Sequence, residues 1–114
     1  MSINEKFIPI KKGLLEFLVL KIIAADQVYA ADILKELRDT EFATQEGTLY
    51  PLLSKMRRDE LVNYEWKESE AGPPRKYYQL TAKGRERLRE TADYWQKING
   101  TVKNMGQKPG SPQT

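Results

Sequence analysis

The chain has no histidine and no cysteine among its 114 residues. That excludes imidazole acid–base work, Ser-His-Asp triads, thiol nucleophiles, disulfides and Cys/His metal sites. Carboxylates, lysines, tyrosines and hydroxyls remain, but no carboxylate pair stands at a readable catalytic spacing. Leu49, Leu52, Leu53 and Met56 repeat at i, i+3, i+4 and i+7, so they mark the apolar stripe of a helix. At about 100° per residue the opposite face carries Thr44, Gly47, Thr48, Pro51, Ser54, Lys55 and Arg58, flanked by Tyr50 and Arg57. A second basic group, Arg75-Lys76, follows Gly72-Pro73-Pro74. Hydroxyls and cations of this kind suit phosphate oxygens and base-edge acceptors. The plain alternative for both groups is a solvated surface. The expectation is binding rather than catalysis, with no cofactor and no metal.

The elements that must position these groups follow from periodicity and punctuation. The run from about Ile10 to Ala25 is apolar almost all round, with Pro9 suited to its first turn. At 12 residues, its most apolar part, Leu14 to Ala25, is too short to span a bilayer and contains Glu16 and Lys21. A shorter helix is expected from about Ala30 to Arg38. The third begins near Thr44 or near Thr48, either of which can cap it. The first choice leaves Pro51 inside the helix; the second places it at the third position. Val62, Tyr64 and Trp66 alternate with polar residues, as do Lys76, Tyr78 and Leu80, around the turn-rich stretch from Ser69 to Pro74. This is a β-hairpin, with Tyr64, Trp66 and Tyr78 expected in its core or in cross-strand pairs. Thr81 then caps a last helix, in which Leu88, Ala92, Trp95, Ile98, Val102 and Met105 recur every three or four residues. Such a narrow seam suits another helix.

One domain fits this length. Lys and Arg number 19 against 16 Asp and Glu, and the +3 excess lies entirely in residues 94–114. Bulk charge is therefore a weak argument for nucleic acid. The first residues lack the long apolar core of a signal peptide, and a cytoplasmic location with no membrane contact is expected.

Four stretches, in order, now carry a family resemblance: Lys12-Gly13-Leu14-Leu15-Glu16 with Tyr29 downstream; Gly47-Thr48-Leu49-Tyr50-Pro51-Leu52-Leu53; Gly72-Pro73-Pro74-Arg75-Lys76-Tyr77-Tyr78 with Leu80-Thr81; and Lys83-Gly84 with Trp95. Together they resemble the PadR family of bacterial transcription regulators, in its small form with a single C-terminal dimerisation helix. Ala30 and Glu60 depart from the family pattern, which usually has glycine at each place. A glutamate disfavours a left-handed cap, so the turn after the third helix is expected to be built differently.

The resemblance implies an α+β, mainly α fold: a winged helix-turn-helix domain over residues 1–81, a dimerisation helix over 82–105, and a disordered tail over 106–114. It implies a homodimer on a palindromic operator of double-stranded DNA, most often a repressor, released by a small phenolic or drug-like effector. Thr44, Gly47, Thr48, Tyr50, Pro51, Ser54, Lys55, Arg58, Arg75 and Lys76 are then the DNA-binding residues. Leu14, Leu18, Leu88, Ala92, Trp95, Ile98, Val102 and Met105 form the dimer interface. Trp95, Phe7 and Leu14 are the candidates for holding an aromatic effector. The competing reading is a winged-helix protein-interaction module that does not touch DNA; an enzyme is a distant third.

Overall fold

A computed structural model describes residues 5–107. A short 3-10 turn, Glu5–Phe7, leads into α1 (Ile8–Ala25). Then come β1 (Val28–Tyr29), α2 (Ala30–Leu37), α3 (Glu46–Arg58), β2 (Val62–Ser69), β3 (Gly72–Leu80) and α4 (Ala82–Asn104). The expected order of three helices, hairpin and long helix is present, and the fold is mainly helical with one small antiparallel sheet. The tail expected to be disordered lies, beyond Gln107, outside the described residues.

The core is one cluster. Val19, Leu20 and Ile23 of α1 meet Ile33 and Leu37 of α2, Leu49, Leu53 and Met56 of α3, and Leu61, Val62, Tyr78 and Leu80 of the hairpin region. Leu18 and Leu88, expected at a subunit interface, also pack against this cluster from its edge. Pro9 stands in the first turn of α1, where its absent N–H costs no helical bond. α1 starts two residues earlier than the apolar run suggested.

Two local features differ from expectation. The sheet has three strands in the order β1-β3-β2, because Val28 and Tyr29 pair with Tyr78 and Tyr77. Neither Thr44 nor Thr48 caps α3; Gln45 flanks it, and its carbonyl accepts from the Thr48 and Leu49 amides, both at 3.0 Å. Pro51 is therefore the sixth residue of the helix and cannot donate to the Gly47 carbonyl. The Thr44 hydroxyl instead donates to the Phe42 carbonyl in the preceding loop. Of the two places expected for Trp66, core or cross-strand pair, it takes the second: it pairs with Lys76 across the hairpin, stands edge-on to Tyr64 and is 63% exposed.

The turn after α3 corrects a further expectation. Glu60 does adopt the left-handed conformation, with φ 63°. The Leu61 amide donates to the Met56 carbonyl at 2.9 Å and the Glu60 amide to that of Arg57 at 3.0 Å. These two bonds form a Schellman motif, sealed by Leu61 against Met56, both fully buried. A left-handed non-glycine residue costs about 1–2 kcal/mol. Two satisfied carbonyls and the buried pair outweigh it.

Thr81 caps α4 as expected: its hydroxyl oxygen accepts the Gly84 amide at 2.9 Å and its own O–H donates to the Glu60 carbonyl at 2.6 Å. The Thr81 amide donates to the Leu61 carbonyl at 3.0 Å. Gly84 lies over that same carbonyl, and a Cβ there would meet the Leu61 oxygen at 2.0 Å. Both partners are backbone, so neither can swing away. After this anchored start α4 leaves the body. The radius of gyration is 17.5 Å, against about 13 Å for a compact chain of this length. Gly100 lies inside α4 and does not end it.

Gly84→Ala is expected to lower unfolding stability by about 2–3 kcal/mol, the upper range for overpacking. Urea unfolding followed by circular dichroism checks it.

Candidate nucleic-acid interface

With Leu49, Leu53 and Met56 buried, α3 turns Gly47, Pro51, Ser54 and Arg58 to solvent. Thr48 and Lys55 lie along one flank of this stripe, Tyr50 and Arg57 along the other. All eight are exposed; Thr44 is half-buried and precedes the helix. The stripe has little relief at its start. A Cβ on Gly47 would meet nothing within 4 Å, so no neighbour inside the chain requires a glycine there.

The cations differ in how much of their charge is available. Lys55 donates to Asp59 at 3.0 Å and lies 3.9 Å from Glu16. Glu16 also accepts from Arg87 at 3.1 Å, so α1, α3 and α4 are joined through one carboxylate. The hydrogen bond from Lys55 holds the Asp59 carboxyl below its ordinary 3.8. Lys55 is thus partnered within the chain, though its side chain remains 56% exposed. Arg58 makes no ion pair among the described residues.

On the hairpin, β2 and β3 pair Trp66 with Lys76 and Lys67 with Arg75. Strand alternation puts Arg75 and Lys76 on opposite faces, not side by side. Arg75 is exposed, 5.4 Å from the ring centre of Tyr29. Lys76 is half-buried, 4.5 Å from that of Tyr64 and 5.6 Å from that of Trp66. Arg57 of α3 covers the Tyr64 ring at 4.4 Å. Stacking on aromatic faces fixes where these cations stand without cancelling their charge.

The smallest of three clefts that border α3, of about 220 Å³, sets Ser54, Arg57 and Arg58 against Tyr64 and Lys76; two larger ones flank the helix. One, of about 390 Å³, runs between α3 and the hairpin and includes Tyr29, Tyr50, Trp66, Pro74, Arg75 and Lys76. The other, of about 410 Å³, lies toward the start of α1 and includes Lys11, Lys12, Thr44, Gln45 and Thr48. Neither is lined by a carboxylate. Lys11, Lys12, Tyr29 and Trp66 were not read from the sequence as part of this face. No periodicity links them to α3; only the fold brings them beside it.

Away from this face, α4 presents the expected seam. Leu88 packs on the core and Ala92 is half-buried. Beyond them Trp95 is 40% exposed, Ile98 37%, Val102 69% and Met105 72%. Leu14 is half-buried and Phe7 exposed. Phe7, Leu14 and Trp95 line neither cleft beside α3.

Three helices, a three-stranded sheet and an exposed hairpin beside α3 define a winged helix-turn-helix protein. Comparison with known proteins narrows the class. Residues 19–90 match the model of the transcriptional regulator PadR-like family. A PadR-like transcription factor of Bacteroides fragilis is 42% identical, with a TM-score of 0.77 over 86% of this chain and 95% of that one. A PadR-like transcriptional regulator of Bacillus cereus is 38% identical, with a TM-score of 0.78 over 88% and 98%. A Streptococcus transcriptional regulator is 32% identical, with a TM-score of 0.77 over 86% and 97%. The chain belongs to the PadR-like family of transcriptional regulators, which act by binding DNA. No helix among the described residues is long and apolar enough to cross a membrane.

Gly47→Ala is expected to separate folding from binding. Alanine should stabilise the helix by about 0.5–1 kcal/mol, while its methyl group should weaken duplex binding at least several-fold. Thermal unfolding and fluorescence anisotropy on a labelled duplex check the two arms.

Proposed function

We propose that this chain is a homodimeric, sequence-specific regulator that binds a palindromic operator and represses, with release by a small aromatic effector. The observation that carries the DNA part is the outward stripe of α3, ending in Arg58, between two clefts that hold cations and, among the described residues, no carboxylate. α3 enters the major groove through Gly47, Thr48, Tyr50, Pro51, Ser54 and Arg58. The hairpin is the wing, and Arg75 and Lys76 meet the backbone beside it. Thr44 supports the approach from the loop. Lys55 reaches a phosphate only by leaving Asp59, so its contribution is the smaller. Acting on DNA places the protein in the cytoplasm.

The dimer part rests on α4. Trp95, Ile98, Val102 and Met105 recur at helical spacing on a projecting segment and stay exposed among the described residues. Residues 82–105 then form the dimerisation helix, pairing with its counterpart and with the flank of α1 around Leu14 and Leu18. Leu88 and Ala92 continue the seam toward the body. Two-fold symmetry would set the two α3 helices about 34 Å apart, one turn of DNA. Paired Trp95 rings, with Phe7 and Leu14 near the α1 side, offer flat apolar surface for an effector.

The direct test is anisotropy on a duplex from upstream of the protein's own gene, beside a scrambled duplex, across a salt series. A preference for the native duplex at physiological salt is expected. Arg58→Ala and Arg75→Ala should each weaken binding about tenfold and reduce the salt slope by about 1. No affinity for either duplex at low salt would favour the protein-interaction module.

Sedimentation tests the dimer separately. The wild type is expected at twice the chain mass of 13.2 kDa, and Ile98→Asp at one chain mass with its helical circular dichroism retained.

A further inference from the structure

We propose that the cleft between α3 and the hairpin holds one sugar–phosphate strand of the duplex, with the Trp66 indole as the apolar plate against its deoxyribose. The inference rests on the DNA-binding reading above and extends it to a residue type that carries no charge.

The chemistry of the cleft matches a nucleic-acid strand. Such a strand alternates an anionic phosphate with a largely apolar sugar. Arg75 from one face of β3 and Lys76 from the other both border the cleft, with Tyr29, Tyr50, Trp66 and Pro74, and no carboxylate among the described residues lines it. The tyrosine hydroxyls are neutral donors to phosphate oxygens, and the cations pair with the phosphate charge. What remains is the apolar surface of Trp66 and Pro74, which phosphate alone would not use.

Trp66 is arranged for contact rather than for packing. It is 63% exposed, the most exposed indole or phenyl ring of the winged domain. Two neighbours nevertheless stand against it. The Tyr64 ring meets it at 6.0 Å with an interplanar angle of 86°, and the Lys76 ammonium stands 5.6 Å from its ring centre. Tyr64 is itself held under Arg57 of α3. The indole is thus positioned relative to the recognition helix while contributing little to the core. An aromatic plate so placed gains by covering an apolar face of a partner that also satisfies its charged neighbours.

This role has a signature that an electrostatic contact lacks. Covering a sugar releases no counterion and reads no base. Trp66→Ala is therefore expected to weaken binding to the native and scrambled duplexes alike, about tenfold, with the salt slope unchanged and the unfolding midpoint within error of wild type. Trp66→Phe should recover part of the loss. Arg75→Ala, by contrast, lowers the slope. In acrylamide quenching, the fluorescence that Trp66→Phe removes should be shielded in the saturated complex. Wild-type affinity in Trp66→Ala overturns the proposal, as does a lowered slope or an indole equally quenched with and without duplex. A wild-type protein with no duplex affinity instead removes the underlying DNA reading, and the proposal with it.

Discussion

The carbonyl of Leu61 is the contact on which the arrangement depends. Its residue closes the Schellman motif that ends α3 and opens β2. Its oxygen accepts from the Thr81 amide, and the first turn of α4 sits over it without a side chain in between, at Gly84. α3, the hairpin and α4 thus meet at one peptide group. Thr81 completes the junction by bonding Glu60 on one side and Gly84 on the other. The strain of a left-handed glutamate is absorbed here because the surrounding bonds leave the turn no alternative path.

Charge is organised by partnering rather than by amount. The net excess of +3 says little, since 19 cations face 16 carboxylates. The carboxylates Glu16, Asp59 and Glu60 hold Arg87, Lys55 and Lys83 around the junction. Arg57, Arg75 and Lys76 instead rest on aromatic faces. A ring positions a cation as a carboxylate does, but leaves its field directed outward. The tyrosines and tryptophan of the hairpin therefore help define a positive surface on a nearly neutral domain.

Much of the fold was legible because its signals are local. The Leu49–Met56 stripe, the alternation around Tyr64 and Tyr78, and the Thr81 cap each follow from spacing within one element. The rest depends on partners distant in the chain. β1 is two residues long and exists only because β3 offers it an edge. Lys55 looks free on a helical wheel, yet Glu16 and Asp59 claim it. Arg75 and Lys76 are adjacent in sequence, and strand geometry sends them to opposite faces. Trp66 follows the same alternation as Val62 and Tyr64, but the hairpin outruns the core before reaching it. The need for glycine at position 84 was visible as a residue and not as a reason, because the reason is the backbone of Leu61.

The anchored base and free length of α4 make it a lever. About 12 residues separate Ala92, the last half-buried residue of the seam, from the end of the helix, an arm of about 18 Å. A tilt of about 3° at the base of this arm moves the tip by about 1 Å. Run backward, a displacement of about 1 Å at the tip arrives at the packed base as about 3° of rotation. That rotation is delivered to the peptide where α3 ends, and through Glu16 to Lys55 as well. The geometry is a reduction gear: movement at the tip becomes a small adjustment of angle where α3, the hairpin and α4 join.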